Sequence, residues 1–123
     1  MGGFYVLCTE FEGRKIVINP LLQAPKVMKY AVGTHQWRGR RTDGATEFTF
    51  TLEDAERFNH YTPKDSPQTI CHYTEHDQVL GEWTKEYYPK FFAHCQMVAE
   101  LKGHFLSEEY IQHRLRDAMQ IEL

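Results

Sequence analysis

Alternation of apolar and polar positions dominates the first part of the chain and predicts β-strands. Residues 4–12 and 15–20 are rich in β-branched and aromatic side chains and are separated by a Gly-Arg pair, which predicts a β-hairpin. Residues 26–32 and 45–51 alternate with the period of two that is typical of a half-buried strand. We therefore expect these segments to belong to one sheet.

A capped helix is predicted directly after the last of these strands. Thr51 can accept a hydrogen bond from the first helical amides, and Asp54 stands at the position of its reciprocal capping partner. An apolar stripe at helical spacing follows, formed by Leu52, Ala55 and Phe58. Beyond two prolines, the apolar pattern predicts further strands at residues 69–75 and 77–83.

The pattern of the C-terminal part predicts two helices. Pro89 suits the first position of a helix, where a missing N–H costs nothing, and Gly103 is a natural residue to end it. Ser107 predicts the start of a second helix. The side chains that this second helix is expected to bury are Ile111, Leu115, Ala118 and Met119. The two helices should form an antiparallel hairpin.

The length of 123 residues is that of one domain, and we expect a single domain over residues 1–123. A composition of 41% hydrophobic and 25% charged residues excludes a disordered or collagen-like chain. The combined prediction is an α+β fold. It consists of an antiparallel sheet of about four to six strands, one inserted helix and a C-terminal antiparallel helical hairpin.

Neither a membrane segment nor a secretory framework is expected. No apolar run approaches the ~20 residues that cross a bilayer, and the N-terminal residues lack the regions of a signal peptide. The three cysteines, Cys8, Cys71 and Cys95, are an odd number without the spacing of a disulfide scaffold. We therefore expect a cytoplasmic protein with no membrane partner.

Charge is distributed unevenly along the chain, although the net value is only -3. Residues 1–45 contain seven lysines and arginines against three acidic residues, whereas residues 46–123 contain seven against fourteen. If the two segments separate in space, the protein has one basic and one acidic surface. Such surfaces favour binding to a charged macromolecule.

A basic stretch at residues 34–44 is the first candidate binding site. Trp37 could stack on a base while Arg38, Arg40 and Arg41 bind phosphates. The simpler interpretation is a loop between two antiparallel strands, because the stretch ends in an Asp-Gly turn. The sequence pI of about 6.1 also argues against a nucleic-acid-binding domain.

A cluster of aromatic residues is the second candidate binding site. Its members are Trp83, Tyr87, Tyr88, Phe91 and Phe92. Aromatic residues are enriched at the centres of protein interfaces. We assign Phe91 and Phe92 to the core and expect Trp83, Tyr87 and Tyr88 at the surface, where they can contact a protein partner.

Residues with metal-binding or catalytic chemistry form a third group, which consists of Cys71, His72, His76, Asp77, His94 and Cys95. In a strand Cys71 and His72 point to opposite faces, and His72 and His76 lie about 13 Å apart at ~3.3 Å per residue. Zinc needs ligands that converge at about 2.0 to 2.3 Å. The chain also lacks the sequence motifs of common hydrolases and nucleotide-binding enzymes. The sequence therefore predicts no metal site, no cofactor and no catalytic residue.

Three kinds of function remain open. The favoured one is a non-enzymatic protein that binds a macromolecule, because charge is unevenly distributed along the chain and no catalytic motif is present. In its general character, a short aromatic-rich α+β chain, the sequence is similar to small accessory and inhibitor proteins of phages and mobile elements. That similarity implies a protein partner, such as a host nuclease or another nucleic-acid-processing defence complex, whose surface the protein occupies. The alternatives are a nucleic-acid-binding protein that uses the Arg/Trp loop, and a small enzyme or metal protein without a sequence signature.

Overall fold

The computed structural model describes residues 1–119 and consists of two compact units. One unit contains residues 1–21 and the chain from residue 63 onward, and the other contains residues 22–62. The strands are β1 (Lys15–Ile18), β2 (Gly33–Gln36), β3 (Glu47–Phe50), β4 (Thr69–Tyr73) and β5 (Cys95–Met97). The single-domain expectation stays a prediction.

Helices connect and follow these strands. The α-helices are α1 (Gly2–Cys8), α2 (Ala24–Val27), α3 (Leu52–Arg57), α4 (Thr84–Phe91), α5 (Glu108–Tyr110) and α6 (Arg116–Met119). Short 3₁₀ segments extend α2 and α3, and a π-helical segment, Ile111–Leu115, joins α5 to α6. No helix among residues 1–119 is both long enough and apolar enough to cross a membrane.

The sheet of the first unit is parallel, in the order β1-β4-β5. Ile18 of β1 lies opposite His72 of β4, and Cys71 of β4 lies opposite Cys95 of β5. Parallel neighbours need a crossover connection, and α4 supplies it between β4 and β5 as a βαβ unit. The chain does combine helices and strands, but the predicted antiparallel sheet of about four to six strands is wrong.

The predicted N-terminal hairpin is also wrong, although its second strand exists as β1. Helix α1 replaces the first strand. Phe4 and Leu7, three positions apart, lie on one helical face and are buried, whereas Tyr5 and Val6 are exposed. Packing of this face therefore overrides the β-propensity of the aromatic and branched residues.

Two other predicted strands are absent from the described residues. Of residues 26–32, all but Val32 are helical, because Pro25 occupies the first turn of α2, where its restricted φ favours a helix. Residues 77–83 form turns, and Gly81 adopts a φ of 102°, which favours glycine. Neither segment joins a sheet.

The predicted C-terminal helical hairpin is replaced by a helix, a strand and a second helical segment. Pro89 lies inside α4 rather than at its start, and the chain becomes extended at Phe92 before it enters β5. The predicted cap at Ser107 is confirmed, since its side chain accepts a hydrogen bond from the Tyr110 amide. Ile111 and Met119 are exposed rather than buried.

Helices cover both faces of the parallel sheet. On one face the ring of Tyr88, from α4, lies 5.4 Å from the ring of Tyr73, from β4. On the other face the Tyr110 hydroxyl forms a 2.8 Å hydrogen bond with Nδ1 of His72, and Tyr110 is fully buried. Tyr110 packs there with Val98 and Leu101. The sheet is thus the middle layer of this unit, as is usual for parallel strands.

The second unit contains an antiparallel pair, β2 and β3. A connection between two antiparallel strands is present as predicted, but the first strand is β2 rather than residues 26–32, so Thr34, His35 and Gln36 belong to the strand and not to the loop. The Trp37 amide extends the pairing with a 2.9 Å hydrogen bond to the Thr46 carbonyl. The predicted cap of α3 is also confirmed. Thr51 accepts from the Asp54 amide, and the Asp54 carboxylate accepts from the Thr51 amide.

Candidate active site

The loops that follow the three parallel strands meet at one edge of the sheet. Asn19 directly follows β1, Asp77 follows β4 after a short turn, and His104 lies in the loop after β5. Because the strands are parallel, their carboxyl ends lie together. Ligands of open parallel sheets are usually bound at this edge.

Asp77 is a buried carboxyl group held by backbone amides. Only 3% of the residue is exposed. Its Oδ1 accepts hydrogen bonds from the amides of Val79, at 2.9 Å, and Leu80, at 2.7 Å. These bonds fix the direction of the second oxygen, Oδ2, which lies 2.9 Å from Nδ1 of His104.

The contact with Asp77 determines which ring nitrogen of His104 carries the hydrogen. With the carboxylate as acceptor, Nδ1 donates its hydrogen, and Nε2 is left as the basic nitrogen. The His104 side chain is 20% exposed. The ring is therefore held by Asp77 while part of the side chain remains accessible to a bound molecule.

The backbone of His104 is held by two further side chains. The amide donates to Oε1 of Gln78, at 2.9 Å, and the carbonyl accepts from Nδ2 of Asn19, also at 2.9 Å. The ring of Phe105 meets the His104 ring edge-on, with centroids 5.2 Å apart. Both the ring and the main chain of His104 are thus fixed by named contacts.

Asn19 connects all three strand ends. Its Oδ1 accepts from the Thr74 amide, at 2.8 Å, and its Nδ2 also lies 3.3 Å from the Gly103 carbonyl oxygen. The hydroxyl of Thr74 in turn donates to the Leu101 carbonyl at 2.7 Å. Asn19 has a φ of 46°, a left-handed conformation that asparagine tolerates better than most residues.

A pocket of about 360 Å³ lies beside His104. Apolar side chains contribute much of its wall, among them Val6, Ile16, Ile18, Phe105 and Leu106. The first residues of α1 line the same pocket. Gly3 allows this close packing, because a Cβ atom there would lie 2.7 Å from the Cβ of Pro20. His104 therefore borders a space suited to an apolar group.

A larger pocket of about 680 Å³ lies at the opposite, amino ends of the strands. Its wall includes Arg14, Gln68, His94, Cys95 and Gln96. We place the candidate active site at the smaller pocket, because only that pocket adjoins a histidine whose ring is oriented by a buried carboxylate.

The residues predicted in the basic loop form a compact surface on the β2–β3 hairpin. The guanidinium of Arg41 lies 4.4 Å from the centre of the Trp37 ring and also pairs with Asp43 at 2.8 Å. The hydrogen bond from Arg41 holds the pKa of Asp43 below its usual range. Trp37 is 39% exposed, and Arg38 and Arg40 are exposed.

The predicted aromatic surface is only partly present. Trp83 is 41% exposed, and its ring lies 5.6 Å from that of Tyr87. The expectation of a surface position is wrong for Tyr88, which is 1% exposed and donates a 2.8 Å hydrogen bond to the Pro20 carbonyl. Burial raises the pKa of the Tyr88 hydroxyl. Tyr88 is therefore a core residue.

The residues considered for metal binding have other partners. His72 bonds to Tyr110, His76 to Glu82 at 3.0 Å, and Asp77 to His104. Within residues 1–119, no group of three His, Cys, Asp or Glu side chains is placed to hold a metal ion. Sequence reasoning thus selected one residue of the candidate site, Asp77, but as a metal ligand rather than as the partner of His104.

His104 could not be selected from the sequence patterns used above. It follows Gly103, and the pattern around that glycine predicts only the end of a helix. The usable signal is an acidic residue and a later histidine that each follow a parallel strand. An antiparallel prediction hides this signal, because the carboxyl ends of neighbouring antiparallel strands lie at opposite edges of the sheet. Comparisons with protein-family models, curated protein sequences and solved structures find no match for this chain.

Proposed function

We propose that this chain carries the acid and base of a hydrolase. The observation that supports the proposal is the 2.9 Å contact between buried Asp77 and His104, beside a partly apolar pocket at the carboxyl edge of the parallel sheet. His104 is the general base, and Asp77 orients its ring. This ranks the small-enzyme alternative above the binding functions favoured by the sequence.

The order of the two residues also supports hydrolysis. In α/β-hydrolases the catalytic acid precedes the histidine in the chain, and both follow strands of a mainly parallel sheet. Asp77 and His104 have this order and this placement. Those enzymes carry a nucleophilic side chain at a turn that leads from a strand into a helix. The residues at the start of α1 that line this pocket, Gly2, Gly3 and Val6, have no such side chain, so the attacking group proposed here is a water molecule. This support is an analogy of arrangement.

The chemistry follows from the position of the proton. Nε2 of His104 takes a proton from an attacking water molecule while Asp77 stabilises the imidazolium that forms. The same nitrogen then returns the proton to the leaving group. The apolar wall formed by Val6, Phe105 and Leu106 suits the acyl part of a carboxylic ester.

The test is hydrolysis of p-nitrophenyl acetate and butyrate by the intact protein. Asp77→Asn keeps the shape of the side chain but favours the wrong tautomer of His104, so kcat should fall by about ten-thousand-fold. His104→Ala should lose a similar factor. His94→Gln, which removes a histidine at the opposite ends of the strands, is the matched control. Unchanged hydrolysis by His104→Ala would contradict the proposal.

The β2–β3 hairpin supports a second proposal, binding of a nucleic acid. Arg41 is paired with Asp43, whereas Arg38 and Arg40 are exposed near the exposed Trp37 ring. Such a surface suits phosphates and a stacked base. Affinity for a single-stranded oligonucleotide should fall with salt and should be lost in a triple Arg→Ala variant. Binding that does not depend on salt would refute this second proposal.

The protein-partner function, with inhibition of a nuclease or defence complex, also stays a proposal. It rests on Trp83 and Tyr87, which pair at 5.6 Å near the acidic residues Glu82 and Glu86. A pull-down with and without nuclease treatment tests it. A stoichiometric protein that survives the treatment and is lost with Trp83→Ala supports this function, and its retention by that variant contradicts the assigned surface.

A further inference from the structure

Cys71 and Cys95 are direct neighbours on adjacent parallel strands. Their Cα atoms are paired in the register of β4 and β5. Adjacent strands lie about 4.8 Å apart. A disulfide requires Cα atoms about 4.4 to 6.8 Å apart, so the backbone already has the necessary spacing. Paired residues of neighbouring strands also point to the same face of the sheet.

The two thiols are chemically unequal. The side-chain interaction with Cys95, together with burial, raises the pKa of Cys71. The same interaction lowers the pKa of Cys95. Cys71 is fully buried, whereas Cys95 is partly exposed on the edge strand β5. Cys95 is therefore the more accessible of the two cysteines, and the direction of its pKa shift also favours its thiolate.

Cys95 borders the larger pocket, at the amino ends of the strands. Arg14, His94 and Cys95 all line this pocket of about 680 Å³. Cys95 is only partly buried, so a small oxidant can reach this residue from solvent more readily than it can reach Cys71. The third cysteine, Cys8, has a pKa that burial raises, although the charge of Lys15 opposes the effect. This makes Cys8 a less reactive internal reference.

We propose that Cys71 and Cys95 form a reversible disulfide when the protein meets a hydroperoxide. Cys95 is the attacking residue and Cys71 is the resolving residue. This modification site is independent of the Asp77–His104 pair, which lies at the other ends of the same strands.

The reaction balances with hydrogen peroxide as the oxidant. The Cys95 thiolate attacks one peroxide oxygen, the O–O bond breaks, and Cys95 becomes a sulfenic acid as hydroxide leaves. The Cys71 sulfur then attacks the Cys95 sulfur, the S–O bond breaks, and the S–S bond forms. The thiol protons complete two water molecules, and the peroxide gains the two electrons that the sulfurs lose.

The experiment treats the reduced intact protein with one equivalent of hydrogen peroxide and then blocks the remaining thiols with N-ethylmaleimide. Peptide mapping should find a link between Cys71 and Cys95, one blocked thiol at Cys8, and full reversal by dithiothreitol. Cys95→Ser should slow peroxide consumption about tenfold or more. Cys8→Ser is the matched control and should behave as the wild-type protein.

A second variant separates chemistry from folding. Cys71→Ala keeps Cys95 as the attacking residue but removes the resolving sulfur, so a dimedone adduct should accumulate on Cys95. Circular dichroism checks that this variant is folded. The wild-type peptide map decides the proposal by itself. A link that includes Cys8, a link between two molecules, or oxidation of Cys95 to sulfinic acid without a disulfide would overturn it.

Discussion

Asn19 fixes the main chain of His104, because its Nδ2 lies 2.9 Å from the His104 carbonyl oxygen. The same side chain accepts a hydrogen bond from the Thr74 amide. One buried amide group thus joins the end of β1 to the loops after β4 and β5. The position of the proposed base therefore depends on a residue that does not touch its ring.

Asn19→Asp is expected to weaken both the fold and the proposed activity. The carboxylate keeps the acceptor for the Thr74 amide but loses the donor to Gly103 and His104. Leaving buried groups unpaired should lower the free energy of unfolding by about 2 kcal/mol. Urea denaturation measures this loss, and the p-nitrophenyl ester assay should show a lower kcat.

The variant Asn19→Gly separates the backbone conformation of this residue from its side-chain hydrogen bonds. Glycine accepts the φ of 46° without strain but cannot form the side-chain hydrogen bonds. It should therefore also be less stable than the wild-type protein. Equal stability of Asn19→Gly and wild type would show that the backbone conformation, rather than the hydrogen bonds, is what the residue provides.

Gly3→Ala should destabilise the packing of α1 against the segment after β1. The added Cβ would lie 2.7 Å from the Pro20 Cβ and 3.1 Å from its Cα, so backbone must shift. Overpacking of this kind costs about 1 to 3 kcal/mol. Urea denaturation is the measurement. Gly2→Ala is the matched control, since a Cβ there meets no atom within 4 Å, and equal losses in the two variants would disprove the steric explanation.

His72 should make stability depend on pH on the acidic side. Burial, with a smaller effect of the Arg114 charge, lowers the pKa of His72 in the folded protein. The unfolded chain takes up this proton near the ordinary pKa of about 6.5. The stabilisation is therefore complete above that value and is lost as the pH falls towards the pKa of the folded state.

Urea denaturation from pH 7.5 downward, at about half-unit steps, measures this effect. Replacing His72 by Gln should reduce the acid-side slope of the unfolding free energy by at most about 1.4 kcal/mol per pH unit, the value for one proton. His113→Gln, which removes an exposed histidine, is the control. An unchanged slope in His72→Gln would refute the assignment.

Thr51→Ala should weaken α3 through the loss of its N-terminal cap. The Thr51 hydroxyl oxygen accepts from the Asp54 amide at 3.1 Å. Loss of such a cap costs about 1 kcal/mol. Thermal or urea unfolding followed by circular dichroism measures it. Thr51→Ser retains the acceptor, and a loss as large as that of alanine would contradict a hydrogen-bond origin.

Short-range rules predicted the parts of the fold that depend on neighbouring residues. The caps at Thr51 and Ser107 and the strand β4 were recognisable because their signals lie within a few positions of the chain. Helix α1 was not, since the burial of Phe4 and Leu7 on one face decides its conformation. Tertiary packing outweighs β-propensity there.

The candidate site was harder to predict than the fold. Asp77 and His104 are 27 positions apart and become neighbours only through the parallel order of β4 and β5. The surface position predicted for Tyr88 was also wrong. The sequence of α4 does not show whether an aromatic side chain faces solvent or packs against Tyr73. Both errors come from long-range geometry.

The separation of β1 from β4 along the chain has a kinetic consequence. These neighbouring strands are joined through residues 19–68, whereas β4 and β5 are joined through residues 74–94. We therefore expect the shorter βαβ unit to close first and β1 to dock on it afterwards. Each doubling of a flexible loop adds only about 0.6 kcal/mol to closure. Insertions in residues 22–62 should thus change the refolding time more visibly than the equilibrium between folded and unfolded protein.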